Sequence, residues 1–466
     1  MKKNILYTFL LALALSVSSC LDKYPENAIL ADDAITTIDE ADQAVIGIYS
    51  SFLSGALYSG YLTLLPDIQT DLVYAVNGYT NTYGDIWRWN DILATNSQIE
   101  SVYAALYTVI GRCNFLLDNA ENMRKKMTDD DALDRLDVYC GEAYFARALA
   151  YSELIKQFCK AYESDADAQN ELGVVLRTHY YSDEPIKRAS LYDSYQQVLS
   201  DLELAEKALA LGDDYDIAVD GYMYNSTYFN EYTVCALRAR IALYMKKYDE
   251  AIKYATKVID SGHYFLSSAT QLYDSQYSYY QYMWTSDNST EVIWKIGFTS
   301  TSYGGALGQV FFNYDYNSMK PDYVPAQWVL SLYDSNDLRY STFFQTFTTG
   351  HTHGLTWPLL AKYWGNEGLY NEAQLLHVSM PKVFRLSEQY LIRAEAYVMN
   401  EDFAKAGKDI TTLRKARYST YGTSTAISKD NAMKIVEEER VKELFMEGFR
   451  LMDLKRWHKG FERIPQ

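Results

Sequence analysis

Ala236-Leu-Arg-Ala-Arg-Ile-Ala-Leu-Tyr-Met-Lys-Lys-Tyr-Asp-Glu-Ala-Ile-Lys-Tyr-Ala255 and Leu391-Ile-Arg-Ala-Glu-Ala-Tyr-Val-Met-Asn-Glu-Asp-Phe-Ala-Lys-Ala406 read as the same unit. Superposed, Ala239 meets Ala394, Tyr248 meets Phe403 and Ala251 meets Ala406. Small residues at these places let paired helices approach, and the aromatic residue closes the turn between them. This is a degenerate tetratricopeptide pattern. The two units lie far apart in the chain, so they do not form one tandem array.

Helical periodicity extends outward from them. Ile99, Val102, Tyr103, Leu106, Val109, Ile110, Cys113, Leu116 and Leu117 form one apolar stripe, with Ser97 and Glu100 read as its capping box. Ala41, Ala44, Val45, Ile48 and Phe52 form another after Thr37 and Glu40, and Tyr195, Val198, Leu199, Leu202, Ala205 and Leu209 a third. From Ala132 to Phe158 the pattern is apolar on most sides, which predicts a central helix. The texture changes from Ser261 to Glu372, which is rich in Tyr, Ser, Thr, Asn and Gly. There Val292, Trp294, Ile296 and Phe298, and Phe312, Tyr314 and Tyr316, alternate as short strands do. A second aromatic stretch, read as non-helical, runs from Pro66 to Asp91. The expected fold is mainly α: tetratricopeptide-like helical hairpins with long irregular aromatic-rich insertions and a few short strands. Long loops of this kind are usually functional.

The N-terminus carries its own signal. Met1-Lys2-Lys3 is positive, Ile5 to Leu15 is apolar but shorter than the roughly 20 residues a membrane span needs, and Val17-Ser18-Ser19-Cys20 matches a bacterial lipobox. Residues 1–19 are therefore expected to be a lipoprotein signal peptide, with Cys20 lipidated and the rest tethered to a membrane. The competing reading is an ordinary signal peptide with an incidental cysteine. Residues 20–466 are read as a single domain with an N-terminal part (20–260) and a C-terminal part (261–466).

The formal charge of −18 argues against nucleic acid and anionic lipid head groups as partners. The 44 tyrosines and 8 tryptophans are too many to bury entirely and point to contact surfaces. Cys113, Cys140, Cys159 and Cys235 form no C-x-x-C pair; buried free thiols are the simpler reading, a disulfide the other.

Five blocks, in order, resemble the SusD/RagB family of glycan-binding lipoproteins from the surface of Bacteroidetes. They are Cys20-Leu-Asp-Lys-Tyr-Pro25, Gly141-Glu-Ala-Tyr-Phe-Ala-Arg-Ala-Leu-Ala-Tyr151, Arg385-Leu-Ser-Glu-Gln-Tyr-Leu-Ile-Arg-Ala-Glu-Ala396, Asp409-Ile-Thr-Thr-Leu-Arg414, and Glu438-Glu-Arg-Val-Lys-Glu-Leu-Phe-Met-Glu-Gly-Phe-Arg450 continuing to Asp453-Leu-Lys-Arg-Trp457. The resemblance implies four tetratricopeptide-like hairpins. It also implies a partner, a SusC-like TonB-dependent outer-membrane transporter that the lipoprotein covers like a lid, and a cell-surface location. Asp22 fits the acidic export signal associated with that location, although Lys23 dilutes it.

Sugars offer C–H faces and fans of hydroxyls, so a site for them needs flat aromatic rings flanked by polar side chains. The loop from Tyr79 to Asp91, with Tyr83, Trp87, Trp89 and Asn90, has that composition. Trp87-x-x-Asn90 resembles the tryptophan and asparagine of a starch-binding family member; Trp89 is the competing choice, since on a strand it would face the same way. The alternative for either tryptophan is that it simply packs the loop onto the helices. Tyr277 to Trp284, with Tyr282 and Trp284 foremost, and Tyr303 are the second expected wall, which in the family meets the first. Two or three stacks of about 0.5–1.5 kcal/mol each, with hydrogen bonds of about 1, place affinity between roughly millimolar and micromolar.

No cofactor or metal is expected. His351-x-His353 with His377 lacks a cysteine or acidic partner. Glu437-Glu-Glu-Arg440 reads as structural ion pairs or a solvated face, and no nucleophile elbow, H-E-x-x-H or P-loop appears. The expected function is non-catalytic glycan binding for an uptake complex, with a glycosidase or a peptide-binding or purely lid-like component as alternatives.

Overall fold

The computed structural model describes residues 34–463, apart from 77–81, 91, 182, 184, 211–217, 220–222, 225, 316–317, 350–355 and 423–424. The expectations for Cys20, Tyr79, Tyr316, His351 and His353 lie outside the described residues.

A layer of antiparallel helices forms the scaffold: Ile38–Ser51, Ser97–Lys126, Asp130–Phe158, Leu191–Leu209, Glu231–Tyr244, Tyr248–Ile259, Leu386–Met399 and Phe403–Arg417, each packed on the next. Thr37 and Glu40, which precede the first stripe, form a capping box. The next start is one residue earlier than expected: Asn96, not Ser97, caps the 97–126 helix, accepting from the Gln98 and Ile99 amides. The Asp130–Phe158 helix is central, with buried residues around its whole circumference in its C-terminal half. Gly141 sits where a Cβ would come within 2.8 Å of the Ala208 Cβ, so only glycine allows this close crossing of the 191–209 helix. Arg147 locks the same crossing through two hydrogen bonds to the buried Asp201 carboxylate, 2.9 and 2.6 Å.

The two hairpins that decide the fold match in detail. Ala239, Ala251, Ala394 and Ala406 are fully buried, and the turn residues Lys246 and Glu401 both take left-handed conformations (φ 58°). Although distant in sequence, the hairpins stack side by side, the 248–259 helix against the 386–399 helix. Arg393 reaches Thr256 Oγ1 (3.1 Å) and Asn400 reaches Asp249 (2.7 Å) across that seam. The chain between them loops out and returns, so the repeat is continuous in space where the sequence breaks it.

That excursion builds a second apolar core from Tyr280, Trp284, Phe311, Tyr323, Phe343 and Tyr363, joined by Leu64 and by Ile68 and Val73 from the earlier aromatic stretch. Its strands are short. Val292–Lys295 pairs antiparallel with Lys382–Arg385, and all four of its residues are buried because both faces are covered. Phe312 ends a helical turn, Gln309–Phe312, instead of starting a strand; only Tyr314–Asp315 pairs, with Ser318–Met319. The 66–91 stretch is not wholly irregular either: Tyr61–Ile68 is helical through Pro66.

The C-terminal blocks weld the two cores by charge. Glu443, fully buried, accepts from Arg339 (3.1 Å), Arg385 (3.0 Å) and Arg417 (2.9 Å). Arg385 and Arg417 both also bind Glu291, and Arg385 and Lys362 share Glu447. The surrounding guanidinium groups hold the Glu443 carboxyl far below the usual range even though burial opposes them. Glu439 pairs with Arg339 and Arg414, and Glu437 with Arg450 and Lys459, which makes the Glu437–Arg440 run structural, as expected. Cys113, Cys140, Cys159 and Cys235 are buried free thiols.

Candidate functional site

The first loop lies over a two-stranded ribbon, Val73–Ala75 paired with Tyr323–Pro325. The expected strand geometry at the tryptophans is wrong. Gly84–Trp87 is a single helical turn, bracketed by Tyr83 and Trp89 in left-handed conformations (φ 64° and 61°). Bulky residues adopt that backbone only when something holds them. Here the Trp89 indole N–H donates to the Gln69 carbonyl at 2.8 Å, and the Tyr83 ring packs edge-on against Tyr61 at 5.6 Å. Burial pushes the Tyr83 phenol up to about 12.

The helical turn sends the two tryptophans to different partners, and a third residue joins them. Trp87 is half-buried, donates to the Val73 carbonyl (3.3 Å) and meets Tyr74 edge-on at 5.7 Å. The Arg463 guanidinium lies 4.2 Å above the Trp87 ring and 5.4 Å from Phe461. Arg463 also donates to the carbonyls of Thr70 (2.8 Å) and Gln69 (2.7 Å), the latter being the acceptor that Trp89 uses. Burial pulls this guanidinium down to about 10, still charged at neutral pH. Phe461 lies 6.4 Å from Trp89. The result is a continuous strip, Tyr74–Trp87–Arg463–Phe461–Trp89, whose outermost ring is 48 % exposed. Asn90 and Asp85 are exposed at its margin. Beside it, Tyr61, Leu65, Gln69, Ile92, Leu93 and Tyr103 line an apolar hollow of about 490 Å³. Further along the ribbon, Trp328 and Trp357 repeat the device, donating to the carbonyls of Asp71 (2.7 Å) and Pro325 (3.3 Å).

Of the second wall, Trp284 stands in the core, 4 % exposed, under Lys362 and Lys382 at 4.3 and 4.6 Å, and it lines a small cavity of about 30 Å³. Tyr282 stacks face to face on Tyr273 at 3.6 Å, and Tyr303 is exposed. No ring contact joins these residues to Trp87 or Trp89 among the described residues. Tyr74, Phe461, Arg463, Trp328 and Trp357 were not singled out from the sequence. An x-Arg after the Arg-Trp block carries no local pattern, and only folding brings it to Trp87.

Two family profiles match the chain: "Starch-binding associating with outer membrane" over residues 21–243, which includes the tryptophan loop, and "SusD family" over residues 353–464, which includes Arg463. The chain belongs to the SusD/RagB family. Over 99 % of its length it is 24 % identical to SusD-like protein P38 of Formosa agariphila, covering 92 % of that protein. The fold is that of a SusD superfamily protein from Bacteroides thetaiotaomicron (TM-score 0.75, 23 % identity, 92 % of this chain and 90 % of that one). It is shared by a SusD-like carbohydrate binding protein from Bacteroides vulgatus (TM-score 0.73, 19 % identity, 92 % and 85 %). The family thus spans both sides of the strip, while Tyr282, Trp284 and Tyr303 lie between the two matched segments.

Proposed function

We propose that the protein is a non-catalytic glycan-binding lipoprotein that captures oligosaccharide on the Trp87–Trp89 strip and hands it to a SusC-like TonB-dependent transporter. The observation that carries this is the Trp89 ring, left about half exposed on a backbone held in a strained conformation by its own indole hydrogen bond. A flat ring on a rigid mount stacks on a sugar face with little ordering cost, and Asn90, Asp85 and Gln69 supply hydroxyl partners around it. A family profile described as starch-binding and associated with the outer membrane supports the ligand class and the compartment. The acidic 437–440 run is occupied by Arg339, Arg414, Arg450 and Lys459, which favours binding over hydrolysis. Lipid on Cys20 would tether the chain at the outer face.

A Trp87→Ala, Trp89→Ala double variant tests the site on native gels cast with glycans: the parent should be retarded, the variant should migrate like an inert marker, and equal retention of both would sink the aromatic-strip reading. Release of reducing ends from any glycan would favour a glycosidase. Full protection from protease added to intact cells would exclude the surface location.

A further inference from the structure

A second arrangement of exposed rings lies on the other end of the 97–126 helix. Residues 176–181 have no regular secondary structure, yet side chains of the 97–126 and 130–158 helices hold the backbone from Arg177 to Tyr180. Asn114 donates to the carbonyls of Arg177 (2.9 Å) and His179 (3.3 Å). Arg147 donates to the Thr178 carbonyl (3.2 Å). The Tyr151 hydroxyl donates to the Arg177 carbonyl (2.6 Å) and accepts from its amide (2.7 Å). Asp118 accepts from the Tyr180 amide (2.8 Å) and pairs with His179 Nδ1 (2.9 Å). Asn114, Arg147 and Tyr151 are all buried.

Mounted on this backbone, Tyr180 and Tyr181 point outward, 46 % and 72 % exposed. Tyr180 packs edge-on against Phe115 at 5.1 Å, and Tyr181 against Tyr180 at 4.7 Å. Together with Asp118, Glu121 and Asn122 they enclose an open hollow of about 380 Å³. A segment that only packed would bury its rings and leave its backbone to water. This one does the reverse: polar groups of the 97–126 and 130–158 helices fix a loop whose aromatic rings stay wet. Rigid backbone beneath exposed tyrosine is the economy of a binding surface.

We propose that the Tyr180–Tyr181 ledge is a second binding site, selective for uncharged sugar rings. The tyrosine faces supply stacking, and Asp118, Glu121 and Asn122 accept or donate to hydroxyls. The two carboxylates, Asp118 beside His179 (2.9 Å) and Glu121 beside Lys125 (3.2 Å), sit on a chain of net charge −18, which disfavours uronates and sulfated sugars. A metal is not the ligand this geometry fits: among the described residues no three metal-ligating side chains converge. Ile99 and Glu100 line the hollow beside Gln69, and Asp118 lies roughly 28 Å further along the same helix at about 1.5 Å per residue. The ledge is therefore separate from the Trp89 strip; it shares the ligand class of the proposed function but none of its residues.

Hydrogen–deuterium exchange of the full chain, read by mass spectrometry, tests this with millimolar maltohexaose, cellohexaose, xylohexaose and mannohexaose, and with hexagalacturonate as the anionic comparator. At least one neutral hexasaccharide should slow exchange across 176–181 in the parent and equally in Trp89→Ala, with no protection by hexagalacturonate. Tyr181→Ala, at an exposed position that folding does not need, should weaken that protection about 2- to 10-fold, the worth of one aromatic stack, while protection of 83–90 is unchanged. Protection confined to 83–90 would overturn the second site and leave the first standing. Protection of neither segment would defeat both, and protection of 176–181 that survives Tyr181→Ala undiminished, or that hexagalacturonate matches, would overturn this proposal alone.

Discussion

Truncating the two tryptophans of the strip one at a time separates binding from folding, because the structure gives them different work. Trp87→Ala removes a hydrogen bond to Val73 O, an edge contact with Tyr74 and the ring beneath Arg463. These are worth about 1, about 1 and about 0.5–1 kcal/mol. Loss of a half-buried indole adds about 1–2, giving about 3–5 kcal/mol in all. Trp89→Ala removes one hydrogen bond and a distant contact with Phe461, about 1–2 kcal/mol, partly offset by release of its left-handed backbone strain. With an unfolding entropy near 2.1 cal/mol/K per residue, a chain of this size shifts by only about 1 °C per kcal/mol. Trp87→Ala should therefore lower the melting temperature by about 3–5 °C and Trp89→Ala by no more than about 2 °C. Glycan affinity should respond in the opposite order: Trp89→Ala loses one exposed stack, about 2- to 10-fold. Differential scanning calorimetry and affinity gels on the same preparations measure both. If Trp89→Ala binds like the parent while Trp87→Ala melts normally and loses binding, the assignment of mount and platform is reversed and the reasoning fails.

Glu443→Gln leaves Arg339, Arg385 and Arg417 facing one another without their shared anion; a loss of about 3–5 kcal/mol is expected in chemical denaturation, and a midpoint equal to the parent's would contradict the weld described above. Burial pushes Glu142 up to about 8, opposed by the Tyr49 hydroxyl that donates to it. The folded protein thus holds a proton that the unfolded chain releases above about pH 4, and stability should decline as pH rises from there to about 8. Glu142→Gln keeps an acceptor for Tyr49 and should flatten that decline, measured as urea midpoints at about pH 5 and about pH 8; an unaltered slope would show that other groups set it. Burial raises the thiols of Cys113, Cys140, Cys159 and Cys235. They should ignore Ellman's reagent in the native protein and react on unfolding, so prompt native reaction would argue against their burial.

Features that depend on near neighbours in the chain were legible in the sequence. The stripe after Thr37 and Glu40, the central helix read from Ala132 to Phe158 and the two alanine-aromatic hairpins follow from spacings of three, four and seven residues, and the structure carries all three, the central helix starting two residues earlier. The tryptophan loop was found by composition, but its shape was not: the two indoles are held by the carbonyls of Gln69, which ends the 61–68 helix, and Val73, which pairs with Pro325. Trp284 has the composition of a site residue and the position of a core one. Burial depends on what the far end of the chain puts on top of a residue, and Lys362 and Lys382 are not visible from its neighbourhood.

By itself the sequence determined a helical scaffold interrupted by aromatic insertions, because periodicity and capping are local properties of the backbone. Tertiary structure alone decided that the hairpins of 236–255 and 391–406 stack as neighbours, and that Arg463, 394 residues from the Gln69 carbonyl it shares with Trp89, completes the strip. No local rule reaches that distance: such contacts exist only once burial of two apolar cores and the charges around Glu443 have brought the chain back on itself.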